Sequence, residues 1–296
     1  MAEGENGTPL DRAVERVEDA EWLDRVSEPL VNALTKLVPD GPIKDLLSGT
    51  PLAHPAHPML VAVPIGAWTS ASVFDVTGDR RTAGHLVGLG VVAAVPAALT
   101  GLADWLTTSG PERRVGLVHA ASNYGALALQ VSSWAARRKN RHLRGAALSA
   151  AALALTGVAG WLGGHLAYAM GVGVDTTAFQ HLPAQWTDVC SETDVRDEPN
   201  MYSVAGVPVV VYRVDGRTVA LADRCTHRGG PLHDGEVSDD GCITCPWHGS
   251  QFDPSGRVRS GPATRPQPAL DVRTRSGRVE VRRDEQRTLR LNPIGP

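Results

Sequence analysis

A chain of 296 residues has room for two domains, and its 29 Lys and Arg against 32 Asp and Glu leave a net charge of −3. That balance gives no basic footprint for nucleic acid, and no glycine loop of the kind that cradles phosphate is present. Composition changes sharply near residue 175, from Ala, Leu, Val and Gly to a more polar text, so the two domains belong to different solvents.

Residues 1–50 read as acidic amphipathic helices. Leu10, Val14, Val17, Val26, Leu30, Leu34 and Leu37 recur at near-helical intervals, and Pro29 is expected to divide two helices. Nine acids against three arginines in residues 1–30 match anionic lipid poorly, so these helices are expected to pack on the chain's own domains or on a partner. The first thirty residues lack the basic start and apolar run of a cleavable signal.

Residues 51–175 are expected to form an α-helical four-span membrane bundle in contact with lipid. The stretches 59–76, 84–103, 115–136 and 145–173 are apolar, and ~20 residues at a rise of about 1.5 Å each cross a bilayer. Within them Asp75 is the one residue of the Asp, Glu, Lys and Arg set. Pro64 and Pro96 are expected to kink the first two spans. Gly157, Gly160, Gly163 and Gly164 give the last one a small face for close helix approach. His57 opens the first span, His119 lies near the start of the third and His165 near the end of the fourth, so alternating direction brings all three to one face. Ionisable groups at that depth are functional candidates, here for haem b or a quinone. His54-Pro55-Ala56-His57-Pro58 resembles the opening of a family of four-helix bacterial membrane domains of uncharacterised function, the DUF2231-like domains, over about residues 50–175.

Arg80, Arg81, Arg137, Arg138, Lys139, Arg141 and Arg144 fall on one side of this bundle, and Lys44, Arg113 and Arg114 on the other. The positive-inside tendency makes the seven-charge side cytoplasmic. The expectation is a multi-pass cell-membrane protein with both termini and the C-terminal domain extracytoplasmic. Arg137-Arg138 is a poor match to a twin-arginine export signal.

After a linker at 176–185 comes a domain expected at 186–284, then a tail at 285–296. Its centre is Cys225-Thr226-His227 and, after seventeen intervening residues, Cys245-Pro246-Trp247-His248-Gly249. Zinc accepts two Cys and two His, but its hooks pair Cys with Cys and His with His, whereas each hook here mixes the two. The motif, with Gly229-Gly230-Pro231-Leu232 and Gly261-Pro262-Ala263, resembles the Rieske [2Fe–2S] ferredoxins.

That resemblance implies an antiparallel β sandwich with a cluster-binding subdomain. It implies Cys225 and Cys245 on a buried iron and His227 and His248 on an outer one. Ser250 is then a hydroxyl donor to a cluster sulfur, Pro262 belongs to the loop over the cluster, and Gly230 and Trp247 replace the disulfide of cytochrome bc-type relatives. Phe252 stands where high-potential relatives carry a Tyr hydroxyl, so a potential between ferredoxin-type and bc-type is expected. Cys242 reads as a packed residue on a short strand rather than half of a redox pair with Cys245, and His233 as a group outside the ligand set.

The implied function is a membrane-anchored carrier of single electrons, an electron-transport component of an oxidoreductase system with no catalytic residue of its own. Its partners would be a redox protein or a quinone. An electron-donating component of an oxygenase or quinone-linked oxidoreductase, and an iron–sulfur redox sensor, are the alternatives.

Overall fold

The computed structural model describes residues 8–283, so the tail expected at 285–296 and the last residue of the expected β domain lie outside it. Two compact units emerge. One combines the chain up to Pro39 with Pro55–Val172, and the other combines Asp40–His54 with the chain from Gly173 onward.

The first unit is helical. α1 (Pro9–Glu18) starts at a capping box, in which Thr8 Oγ1 accepts the Asp11 N–H and Asp11 accepts the Thr8 N–H at 2.8 Å. α2 spans Asp24–Leu37, and Pro29 lies inside it rather than between two helices. The break falls earlier, at Asp19 and Ala20, whose N–H groups close the last turn of α1 on Glu15 and Val17. Pro29 removes only the bond to the carbonyl four residues back, and the helix absorbs that loss near its start. Both helices pack on their own unit: Val14 shares a core with Val115 and Leu162, and Arg114 binds both Asp24 oxygens and the Glu18 carbonyl.

α3 (Pro42–Ser48) belongs to the second unit. The helical unit resumes with α4 (Ala56–Leu60), α5 (Ala62–Thr77), α6 (Arg80–Trp105), α7 (Gly110–Arg138) and α8 (His142–Tyr168). The kink expected from Pro64 appears three residues earlier, at Val61 between α4 and α5, because proline fits the first turn of a new helix. Pro96 stays inside a continuous α6, where Thr100 Oγ1 donates to the carbonyls of Pro96 and Ala97.

Among the described residues three helices are long and apolar enough to cross a membrane: Ala56–Thr77, Arg80–Trp105 and His142–Tyr168. α7, expected as a fourth, has the length at 29 residues but carries His119, Asn123, Gln130, Ser132 and Ser133 along it. Gln130 and Ser133 are fully buried. Gln130 accepts the Ser149 hydroxyl at 2.9 Å and Ser133 donates to the Gly145 carbonyl at 2.7 Å, so these two polar groups of α7 are turned toward α8.

The four long helices form two hairpins with one repeated plan. α6 begins at 80 and α8 at 142, and each counterpart pair keeps that spacing of 62 positions: 57 and 119, 68 and 130, 75 and 137, 97 and 159, 101 and 163. His57 Nδ1 meets the Ala97 carbonyl at 2.9 Å, and His119 Nδ1 meets the Ala159 carbonyl at 2.8 Å. Trp68 donates to the Val87 carbonyl where Gln130 meets Ser149. Counterparts also touch each other. The rings of His57 and His119 are 6.4 Å apart, and Arg137 binds both Asp75 oxygens at 2.6 and 2.5 Å. Contact between a residue and its own counterpart is the signature of a two-fold arrangement.

The second unit is built from antiparallel strands. β1 (Thr187–Ser191) pairs with β10 (Arg278–Arg283), which pairs with β9 (Leu270–Arg275). β2 (Asn200–Val204), β3 (Val207–Val214) and β4 (Arg217–Ala222) form a second sheet. β5 (Glu236–Val237), β6 (Ile243–Thr244), β7 (Gln251–Phe252) and β8 (Val258–Ser260) form a third. β3 is buried on both faces: Val209 and Val211 enter a core with Cys190, Leu270 and Val281, while Val210 and Tyr212 enter one with Leu232, Ile243 and Phe252. Cys225 and Cys245 belong to this second core, so the hooks are rooted in the sandwich.

Arg137 and Asp75 are 3% and 15% exposed, so Arg137→Leu leaves a buried carboxylate unpaired. The expected loss is about 3–5 kcal/mol, measured as a fall in thermal unfolding temperature in detergent. The double variant Asp75→Leu/Arg137→Leu is expected to recover part of it.

Candidate metal centre

The two hooks share one backbone design. Cys225 N–H donates to the Gly230 carbonyl at 2.9 Å, and Gly229 N–H returns to the Cys225 carbonyl at 2.8 Å. Cys245 N–H donates to the Ser250 carbonyl at 2.8 Å, and Gly249 N–H returns to the Cys245 carbonyl at 3.0 Å. Each loop turns back through a left-handed glycine, Gly229 at φ +74° and Gly249 at φ +76°, a conformation costly for other residues. Gly230 is needed for a different reason: a Cβ there would lie 2.9 Å from the Cys245 sulfur and 3.0 Å from the Trp247 ring.

These loops bring the four sequence-nominated side chains together in like pairs. The Cys225 and Cys245 thiols hydrogen-bond to each other, and the His227 and His248 rings stand 5.1 Å apart at 89°. The backbone N–H groups of His227 and Arg228 point at the Cys225 sulfur, and those of Trp247 and His248 at the Cys245 sulfur. The bond between the thiols pushes Cys225 up and lowers Cys245, so one proton is held between two sulfurs and Cys245 ionises first. Burial, followed by the neighbouring His248, Arg228 and Lys44 charges, holds His227 down at about 3. Burial, then Arg228 and Lys44, holds His248 at about 4. Both imidazoles are therefore neutral at physiological pH, the form that ligates metal.

Among the described residues no three Cys, His, Asp or Glu side chains converge on one point. Sulfur paired with sulfur and nitrogen with nitrogen fits a centre of two irons with unlike ligands. His248 Nδ1 is buried without a hydrogen-bond partner, as befits a ligating atom seen in the protein alone. Ser250 is fully buried and its Oγ accepts the Ala263 N–H at 3.0 Å, leaving its own proton for a sulfur. Pro262 lies between Gly261 and Ala263 in the loop beside that serine.

One brace had no signal in the motif. Gln267, 2% exposed, donates to the carbonyls of Ala222 and Arg224 at 2.6 and 2.7 Å and accepts the Thr226 N–H at 3.0 Å, which fixes the first hook from outside. His233 is held by Asp223, whose carboxylate accepts its Nδ1 at 2.9 Å, so it stands outside the ligand pairs. Cys242 is buried with its Sγ donating to Asp240. All four cysteines are free thiols, so Cys242 and Cys245 are unpaired.

In the helical unit the three nominated histidines separate. His57 and His119 meet, and Gly101 and Gly163 make room for them, since a Cβ would come within 2.7 Å and 3.0 Å of the respective rings. His165 stacks on Trp161 at 5.9 Å and its Nε2 lies 2.8 Å from Glu18 Oε1.

A family model described as Rieske [2Fe-2S] domain matches residues 185–275, and one described as Predicted membrane protein (DUF2231) matches residues 53–176. Ferredoxin CarAc of Metapseudomonas resinovorans is 33% identical over 99 residues, 32% of this chain and 92% of its own length. Aminopyrrolnitrin oxygenase PrnD of Pseudomonas fluorescens is 35% identical over 81 residues, and the match spans 27% of this chain but only 22% of that protein. The ferredoxin of carbazole 1,9a-dioxygenase from Nocardioides aromaticivorans superposes with a TM-score of 0.32 at 24% identity, over 34% of this chain and 99% of that one.

Gly230→Ala is expected to leave the sandwich folded and to cut bound iron severalfold, because the added methyl group must displace a sulfur or Trp247. Iron analysis beside circular dichroism of the purified chain measures both. Gln267→Leu is expected to keep iron but broaden the electron paramagnetic resonance (EPR) lines of the reduced protein, since the first hook loses three bonds.

Proposed function

Because the chain belongs to the Rieske [2Fe–2S] family, with a DUF2231 membrane-protein domain ahead of the cluster domain, we propose that it is a membrane-held carrier of single electrons whose cluster is ligated by Cys225, His227, Cys245 and His248. The cofactor is a [2Fe–2S] cluster, which when bound accepts and releases one electron. The observation that carries the ligand assignment is the pairing of the two sulfurs and of the two imidazoles on matching loops. The backbone N–H groups aimed at each sulfur stabilise thiolate charge, and the glycines hold those groups in place. Cys225 and Cys245, set in the core, serve the inner iron. His227 and His248 form the edge through which electrons enter and leave. Trp247, 57% exposed, stands edge-on to His248 at 6.4 Å.

α7 completes a four-span bundle, its buried Gln130 and Ser133 turned to α8 rather than to lipid. Arg137 is taken up by Asp75, which still leaves Arg80, Arg81, Arg138, Lys139, Arg141 and Arg144 on the face read as cytoplasmic. The β domain then lies outside. A reporter fused after Pro296 and active only in the cytoplasm would refute that orientation.

The partner is a redox protein or a quinone, and CarAc and similar ferredoxins support the first. Iron and sulfide analysis of the full chain in detergent is expected to give two of each, with one-electron reduction. A third iron would turn the reading toward an oxygenase, and partner binding that follows cluster state without electron flow would turn it toward a sensor. Replacing His227 and His248 together with Cys is expected to lower the potential toward the ~−400 mV of all-cysteine plant-type ferredoxins.

The His57 and His119 pair is the redox candidate of the helical unit, and His165 is not. An optical band of haem lost in both His57→Ala and His119→Ala identifies haem there. Reduction of the cluster by quinol that fails in both variants identifies quinone, and the absence of both results removes the site.

A further inference from the structure

Residues 40–54 connect α2 to the first apolar helix, yet they fold onto the cluster end of the β unit. Asp45 accepts the Gly261 N–H at 2.7 Å and the Ser260 hydroxyl at 3.4 Å, and Thr50 donates to the Ala263 carbonyl at 3.1 Å. A Cβ at Gly261 would collide with both Thr50 and Asp45, so the strap rests directly on backbone. The loop that carries Gly261 and Ala263 is the same loop that binds Ser250 through Ala263 N–H.

From these anchors α3 presents Lys44 and Asp40 to the second hook. Asp40 Oδ2 lies 3.4 Å from where a Cβ of Gly249 would sit, next to His248. Lys44 Nζ pairs with Asp40 Oδ1 at 2.5 Å, but the two differ in exposure: the lysine side chain is 12% exposed and the aspartate 72%. Water therefore screens the carboxylate and not the ammonium, and the field at the imidazole edge keeps a positive sign. Arg228, next to His227 in the first hook, is a second cation there.

We propose that this strap sets the reduction potential: Asp45 and Thr50 hold Lys44 beside the His227 and His248 edge, where its fixed positive charge stabilises the reduced centre and raises the potential. This rests on the ligand assignment above. Reduction brings one negative charge to the centre, and a buried cation lowers the energy of that state relative to the oxidised one. Lys44 is a positioning charge that takes no part in electron transfer.

The test is the midpoint potential of the full-length protein in detergent, followed by EPR during titration with a reductant. Lys44→Gln is expected to shift the midpoint down, Lys44→Arg to restore it, and Asp40→Asn to shift it up. Asp45→Ala, which releases the strap, is expected to lower it, and adding Lys44→Gln to Asp45→Ala is expected to give no further drop. Lys44→Gln at the wild-type potential with full iron content would overturn the proposal. So would additive shifts in the double variant, because the anchors would then act independently of the lysine. A wild-type chain with no cluster signal would instead overturn the ligand assignment, and the strap's role with it.

Discussion

The contact between the Cys225 and Cys245 sulfurs is the constraint on which the rest of the β unit turns. Two thiols so close repel once ionised, and the fold holds them there by surrounding each sulfur with backbone N–H groups and by rooting both residues in one core. Everything nearby serves that approach. Gly229 and Gly249 reverse the loops, Gly230 keeps the space between them clear, and Gln267 and Ser250 tie both hooks to the one segment between β8 and β9. The imidazoles follow from the same loops, set where burial keeps them neutral.

The helical unit is organised by a second pairing, of each hairpin with its repeat. Where counterparts are alike, as with His57 and His119, they meet across the interface. Where they differ, as with Asp75 and Arg137, opposite charges join a position that two identical residues would leave unpaired. The divergence of α7 from α5 follows: Gln130 stands for Trp68 and Ser133 for Ala71, so polar bonds replace apolar packing at the same depth. This exchange is why α7 lacks the hydropathy of the other three long helices.

How much of this was legible depended on range. The hooks, their glycines and the paired ligands are local features, and turn chemistry fixes them within six residues of each cysteine. Gln267 reaches the first hook from about forty residues away, and Asp45 and Thr50 reach Gly261 and Ala263 from more than two hundred, where no spacing rule points. Pro29 is a strong local signal for a break, while the true stop between α1 and α2 is a quiet turn at Asp19. The repeat has one sequence signal, the common spacing of 62 between His57 and His119 and between Gly101 and Gly163. It hides because few side chains are identical between the halves, whereas the backbone plan is.

The most direct test of the central claim is pulsed EPR of the dithionite-reduced full-length protein labelled with ¹⁵N-histidine. The account requires hyperfine coupling to two histidine nitrogens on one paramagnetic cluster, with one coupling lost on replacing either His227 or His248. A reduced protein with a cluster signal and no histidine coupling, or with no paramagnetic cluster at all, would contradict it.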